Sequence, residues 1–244
     1  RMNDAKGRYI EFCKSSFTSL DLSGLSILLD CANGATYSVA PKVFSELGAK
    51  VETIGCSPDG ININQNCGST SPNSLKEEII KGSYDFGIAF DGDGDRILLV
   101  TSDGEILDGD DILYILSNNL SKDSGVVGTL MTNKALELHF RNNNIPFSRA
   151  DVGDKYVLHK LIDESWLLGG EPSGHIICLD SAPTGDAIIA ALKILESIKD
   201  KNFSLDKSLE QFKKFPQTLI NLKIDNPNKI ITSDKFWSKV TQIE

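Results

Sequence analysis

Gly87 to Val100, GIAFDGDGDRILLV, places an aspartate at every second position, Asp91, Asp93 and Asp95, between two apolar runs. The run ending at Phe90 and the run from Ile97 to Val100 have the length and composition of strands, so the acidic segment is the turn between them. Glycines at 92 and 94 let the backbone curl until the three carboxylates face one point. Negative charges confined to one turn repel one another unless something positive sits among them. Three monodentate oxygens, with room left for water or a phosphate oxygen, suit a hard cation such as Mg²⁺.

A solvated acidic turn is the plainest alternative, but apolar flanks seat this one at a strand end, where open α/β sheets collect their ligands. An EF-hand loop starting at Asp91 needs Gly at its sixth position and Glu at its twelfth. Those residues are Arg96 and Ser102, which excludes it. A phosphatase with Asp91 as nucleophile and Asp93 as acid stays open on this stretch alone. Arg96 either neutralises the cluster or holds and polarises a phosphorylated substrate.

Outward from the turn, strand-like and helical patterns alternate. Leu25 to Cys31 reads as a strand, Tyr37 to Gly48 as a helix, Lys50 to Gly55 as a strand, and Ser74 to Lys81 as a helix before the strand that feeds the turn. After a hairpin-like turn at Ser102 to Gly104, a second cycle runs through helices at 110–119, 133–141, 155–164 and 186–198, with strands at 125–130, 147–152 and 166–169 and another in IICL. This order implies an α/β fold: two successive three-layer α/β/α domains with mostly parallel mixed sheets. The boundary is placed at Gly109, giving domains 1–109 and 110–214. From Phe215 the strand FPQTLINLKI and a helix at 233–243 read as the start of a further α+β domain, 215–244.

The chain has 244 residues, 34 acidic against 25 basic, and a net charge of −9, which disfavours nucleic acid as a partner. Five cysteines without a CxxC pair argue against a disulfide framework and a zinc ribbon, and fit a reduced, cytoplasmic setting. No apolar run approaches the roughly 18 residues of a spanning helix, so no membrane partner is expected. A chain that opens on Arg1 is expected to be a piece of a longer protein.

A second constellation, GGEPSGH at Gly169 to His175, presents Glu171, Ser173 and His175 at another strand end. A carboxylate beside a hydroxyl is equipment for vicinal sugar hydroxyls, although His175 and Ser173 also fit plain strand and turn roles. In DVGDKYV, Asp154 reads first as a helix N-cap, and Lys155, unfavourable near a helix start, is better explained by an anionic ligand. Asp108, Asp110 and Asp111 read as capping and solvated first-turn residues. His139 and His159 read as structural, and Thr184 in PTGDA as a helix-start residue able to touch phosphate. Walker A, GxGxxG, GxSxG and HExxH patterns are absent.

FDGDGDR together with GEPSGH resembles the α-D-phosphohexomutase superfamily, in which the first is the magnesium loop and the second the sugar loop. GRYIEFCK, DCANGATY, GCSPDGININ, GTLMTN and VGDKYV extend the resemblance to bacterial members that interconvert glucosamine 6-phosphate and glucosamine 1-phosphate on the route to cell-wall precursors. The resemblance implies a phosphoserine enzyme, a bisphosphorylated sugar intermediate, Mg²⁺ on Asp91, Asp93 and Asp95, and a glucosamine phosphate partner. Glu171 and Ser173 would hold sugar hydroxyls, and Arg96, Lys155 and His175 would transfer protons or contact phosphate. The family's SASHNP-like serine loop and SGTEP-like phosphate loop are missing, so the chain is expected to be the second and third domains plus the opening of the fourth, inactive alone. The missing first and fourth domains would be its partners, and the resemblance admits a homodimer of the full-length enzyme. Pro172 and Ala187 depart from the family's usual residues, which leaves a phosphomannomutase/phosphoglucomutase, or a non-catalytic Mg²⁺-dependent phosphosugar-binding module, as alternatives.

Overall fold

Alternation along FGIAF at residues 86–90 organises the first half of the molecule: Phe86, Ile88 and Phe90 enter one apolar layer, while Ala89 enters another on the opposite face. In the computed structural model, which describes residues 3–17, 19–121, 124–218, 223, 230 and 232–243, this segment is the central strand of a five-stranded sheet. The elements in chain order are α1 (Ala5–Ser16), β1 (Ser26–Asp30), α2 (Ala40–Glu46), β2 (Lys50–Ile54), α3 (Asn73–Lys81), β3 (Phe86–Phe90), β4 (Ile97–Thr101) and β5 (Ile106–Leu107). The sheet order is β2-β1-β3-β4-β5, with β1 parallel to β2 and β3, and β4 antiparallel to β3 and β5. α1 and α2 lie over one face through Ile10, Cys13, Val43 and Phe44. α3 covers the other through Leu75 and Ile79. The helix α1 was not among the elements expected from the sequence.

The second unit comprises α4 (Gly109–Ser117), β6 (Val126–Thr129), α5 (Lys134–Asn142), β7 (Phe147–Ala150), α6 (Asp154–Glu164), β8 (Leu168–Gly170), β9 (Ile176–Cys178), α7 (Ala187–Ile198) and α8 (Leu205–Leu209). Its sheet runs β7-β6-β8-β9, parallel except for the last pair. α6 packs on one face through Val157 and Leu161; α4, α5 and α7 pack on the other. The helices α4 and α7 are apolar almost all round because they lie in the layer that joins the two units, where a single cluster runs from Phe86 and Leu99 to Ile115, Leu192 and Ile176.

Asp108 caps α4, accepting from the backbone of Asp110 and Asp111, and Asp111 reciprocates to the Asp108 N–H. The expected capping role of Asp108 is therefore present. Solvation of the other two is not: Asp110 is 2 % and Asp111 5 % exposed. The Asp110 carboxylate accepts from the Asn133 N–H at 2.8 Å, and Lys214 bridges Asp108 and Asp111 at 2.7 and 2.6 Å. Asn133 in turn holds the backbone of Phe215. Beyond that point residues 215–218 are not strand, the remainder of the expected strand apart from Lys223 lies outside the described residues, and α9 (Asp234–Ile243) matches the expected helix.

Candidate functional site

β3 and β4 pair to their ends, with Phe90 opposite Ile97, so residues 91–96 form the connection of an antiparallel hairpin. Asp91 is buried, and its Oδ1 accepts three backbone N–H groups, from Gly94, Asp95 and Arg96, each at 3.1 Å. That bonding curls the loop around the first aspartate, with Gly94 at φ +81° where a side chain would be strained. One carboxylate oxygen from each of Asp91, Asp93 and Asp95 then lies within 4.8 Å of the others, the single such cluster of potential ligands among the described residues.

Arg96 Nε stands 3.9 Å from Asp91 Oδ2 and 3.8 Å from Asp95 Oδ1, too far for a hydrogen bond. Its guanidinium offsets part of the charge and, being partly exposed, keeps donors for a ligand. Burial pushes the Asp91 carboxyl above the ordinary range. Asp95 Oδ1 is buried with no hydrogen-bond partner. An all-oxygen, triply anionic donor set with an orphaned buried oxygen fits a hard divalent cation.

The second loop connects β8 and β9, closed by the Glu171 N–H to the His175 carbonyl at 3.0 Å. Glu171 is buried, and its Oε1 accepts from the Gly153 N–H at 2.8 Å. His175 is buried too, with Nε2 3.3 Å from Asp95 Oδ2. Backbone contacts knit the loops together: the Ile97 N–H donates to Gly174, the Gly109 N–H to Pro172 and the Ala187 N–H to Gly94. Asp91, Asp93, Asp95, Arg96, Glu171 and His175 are thus held along one seam, although the loops belong to different sheets.

Ser173, in the second loop, and Lys155, on α6, are exposed. Lys155 is the second residue of α6, with its ammonium 4.7 Å from the centroid of the Tyr156 ring, a partner the sequence reading did not consider. Asp154 is not the N-cap of α6. That position is Gly153, whose φ of +127° and ψ of +135° aim its N–H at Glu171, a conformation open to glycine alone. His139 packs edge-on against Tyr114, as a structural histidine should; His159 is exposed on α6, and Thr184 is exposed.

Three contributors were missed. Tyr9, on α1, donates to Asp186, which caps α7; with Asp93 and Asp95 they line a cavity of about 220 Å³. Gly185 abuts the His175 ring so closely that a methyl group there would sit 2.5 Å from Nε2. Only the PTGD helix-start pattern hinted at either of the last two.

Two family models match the chain: phosphoglucomutase/phosphomannomutase alpha/beta/alpha domain II over residues 7–104, and alpha/beta/alpha domain III over residues 108–215. The chain is 49 % identical to the phosphoglucosamine mutase of Aliivibrio fischeri over its whole length and 56 % of that protein. It is 54 % identical to the phosphoglucosamine mutase of Pseudomonas entomophila over 92 % of this chain and 52 % of that one. It spans about half the length of the curated relatives it matches. Among solved structures, a phosphoglucomutase/phosphomannomutase family protein from Burkholderia thailandensis shares the fold with a TM-score of 0.74 at 24 % identity, covering 85 % of this chain and 46 % of that one. Aspergillus fumigatus N-acetylphosphoglucosamine mutase, solved with GlcNAc-6P and magnesium, gives a TM-score of 0.74 at 19 % identity, over 90 % and 52 % of the two chains.

Proposed function

The chain belongs to the phosphoglucomutase/phosphomannomutase family, and on that premise we propose that it is the metal- and sugar-binding part of a phosphoglucosamine mutase, which interconverts glucosamine 6-phosphate and glucosamine 1-phosphate. The observation that carries this reading is the approach of His175 to Asp95, which sets the acidic loop and the sugar-type loop side by side. About half of the residues are shared with proteins named for that activity. The aspartate-nucleophile phosphatase is set aside, since Asp91 has one oxygen committed to three N–H groups and both matching family models are those of phosphoglucomutase/phosphomannomutase.

In this proposal Asp91, Asp93 and Asp95 hold Mg²⁺, which when bound offsets charge on a phosphoryl group in transfer. Arg96, at the mouth of the loop, supplies a planar donor fork for phosphate oxygens. Glu171, with one oxygen fixed by Gly153, offers the other to a sugar hydroxyl, and exposed Ser173 adds a hydroxyl that both donates and accepts. His175 and Lys155 are the proton-transfer candidates: the first is buried against a carboxylate, the second exposed in the first turn of α6 with its ammonium over the Tyr156 ring. The domain boundary is proposed at residue 109, with 215–244 opening a further domain, and the phosphoserine is proposed to lie outside these residues. No helix among the described residues is long and apolar enough to cross a membrane; a cytoplasmic location is part of the proposal.

The test is a substrate panel on the full-length gene product. Glucosamine 6-phosphate should be converted with a higher kcat/KM than mannose 6-phosphate or glucose 6-phosphate, and a preference for either of the latter would replace this reading with a phosphomannomutase/phosphoglucomutase. The 244-residue chain alone should bind Mg²⁺ and phosphosugar without turnover.

A further inference from the structure

Asp30, the last residue of β1, is fully buried and pairs with no cation among the described residues. A lone buried carboxylate is costly to keep, and the proposed mutase chemistry makes no use of this one. Both of its oxygens are taken up by main chain: Oδ1 accepts the Ala32 N–H at 3.0 Å and Oδ2 the Gly68 N–H at 2.6 Å. The two donors are left-handed residues, with φ of +54° at Ala32 and +75° at Gly68. Gly55, beyond the end of β2, lies so close that a methyl group there would sit 2.5 Å from Oδ1. One carboxylate therefore gathers the segments that follow β1 and precede α3, with the turn after β2 packed against it.

The two segments bonded to Asp30 also grip the acidic loop. The Ala35 N–H donates to the Gly92 carbonyl and the Ser69 N–H to the Phe90 carbonyl, each at 2.8 Å. Gly34 abuts the Gly92 carbonyl, and a methyl group at Gly68 would lie 2.6 Å from the Phe90 oxygen. Ala32 accepts from the Asn64 N–H at 2.8 Å, and the side chains of Asn64 and Ile63 pack over Gly92. Phe90 and Gly92 are the chain neighbours of Asp91, the buried member of the acidic cluster.

We propose that Asp30 is a positioning residue for the metal site: by holding Ala32 and Gly68 it fixes the carbonyls of Gly92 and Phe90, and through them the Asp91 carboxylate. This inference rests on the metal reading of the acidic loop. The role calls for a carboxylate because both oxygens must accept. Asparagine in the same space would turn its amide N–H₂ toward one of the two N–H groups and leave that donor unpaired.

The experiment titrates full-length wild type and Asp30→Asn with Mg²⁺ by calorimetry, and measures mutase turnover of both at rising Mg²⁺. Asp30→Asn should bind Mg²⁺ at least about tenfold more weakly, with kcat regained at saturating Mg²⁺. A residue that only supports the fold would lower the melting temperature and leave the affinity alone. Equal affinities, or a kcat that saturating Mg²⁺ does not restore, overturn this proposal; a wild type that binds no Mg²⁺ removes the metal reading with it. Because the variant can fail to fold, amide hydrogen exchange of the wild type is also followed with and without Mg²⁺. Coupling is reciprocal, so the metal should slow exchange at Ala32, Ala35, Gly68 and Ser69 as well as at residues 94–96. Slowing confined to residues 94–96 counts against a role for Asp30.

Discussion

Tyr9 and Asp186, on the first helix of one unit and at the last long helix of the other, meet through a phenolic hydroxyl 2.8 Å from each carboxylate oxygen. Asp186 simultaneously accepts from the Ile188 and Ile189 N–H groups, and the Ala187 N–H donates to Gly94 in the acidic loop. Burial, and next the Asp186 charge, raise the tyrosine above its ordinary range, so it remains a donor at any physiological pH. Tyr9→Phe removes one hydrogen bond to a charged group and should cost about 1.5–3 kcal/mol in urea unfolding, with weaker Mg²⁺ binding as the loop loses its brace. An unchanged unfolding midpoint would show that the pair contributes nothing.

The aspartates of the acidic loop divide their tasks. Asp93 is exposed, so Asp93→Asn relieves like-charge repulsion and should leave or slightly raise the melting temperature without metal, while lowering Mg²⁺ affinity at least about tenfold. Asp91→Ala strips the acceptor from three N–H groups and should destabilise the protein by about 1–3 kcal/mol as well. Calorimetric titration with Mg²⁺ and thermal unfolding of both variants separate the two effects.

Gly185→Ala sets a methyl group 2.5 Å from His175 Cε1 and Nε2. The imidazole has to move away from Asp95, or the loop has to shift, at a cost of about 1–3 kcal/mol. Full-length mutase activity should fall by at least about tenfold, whereas Gly60→Ala, at an open glycine with nothing nearby, should affect stability only, through its φ of +98°. Retained activity in Gly185→Ala would remove His175 from the proposed site.

Burial lifts the Asp110 and Asp111 carboxyls to about 6. An unfolded aspartate titrates near about 3.9. Between those values the folded chain binds protons that the unfolded chain has released, so the contribution of the pair to stability falls as pH rises from about 4 to about 6. Asp110→Asn should flatten that descent by on the order of 2 kcal/mol across the window, measured as urea unfolding free energies of both proteins at several pH values. Parallel curves for the two proteins would contradict it.

The acidic turn was legible in the sequence because its signal is local: three carboxylates at alternate positions between apolar runs can be little else. The same holds for the strands and helices that period and composition mark up to Ile198, whose ends shift by only a few residues in the structure, whereas the strand expected from Phe215 is not formed at 215–218. Contacts between polar residues far apart in the chain leave no such trace. Nothing in GRYIEF announces that Tyr9 faces Asp186, and nothing in LDGDDIL distinguishes a solvated first turn from one roofed by Lys214 and Asn133. Gly153 was overlooked for a related reason. An aspartate next to a helix start is the usual cap, but here the chain needs a left-handed φ to serve Glu171, and only its neighbour can adopt it.

Two bonds across the seam between the units, Ile97 to Gly174 and Ala187 to Gly94, and the Gly109 to Pro172 bond that anchors the start of α4 beside it, are made by main-chain atoms. That main-chain part of the junction is indifferent to most side-chain replacement, unlike the Tyr9–Asp186 and His175–Asp95 contacts beside it. It fails where a proline deletes one of the donors, or where Gly109 or Gly174, packed directly against the carbonyls of Glu171 and Ile97 respectively, acquires a methyl group. Sequence drift can therefore retune the chemistry of the cleft, residue by residue, while the alignment of its two walls is inherited intact.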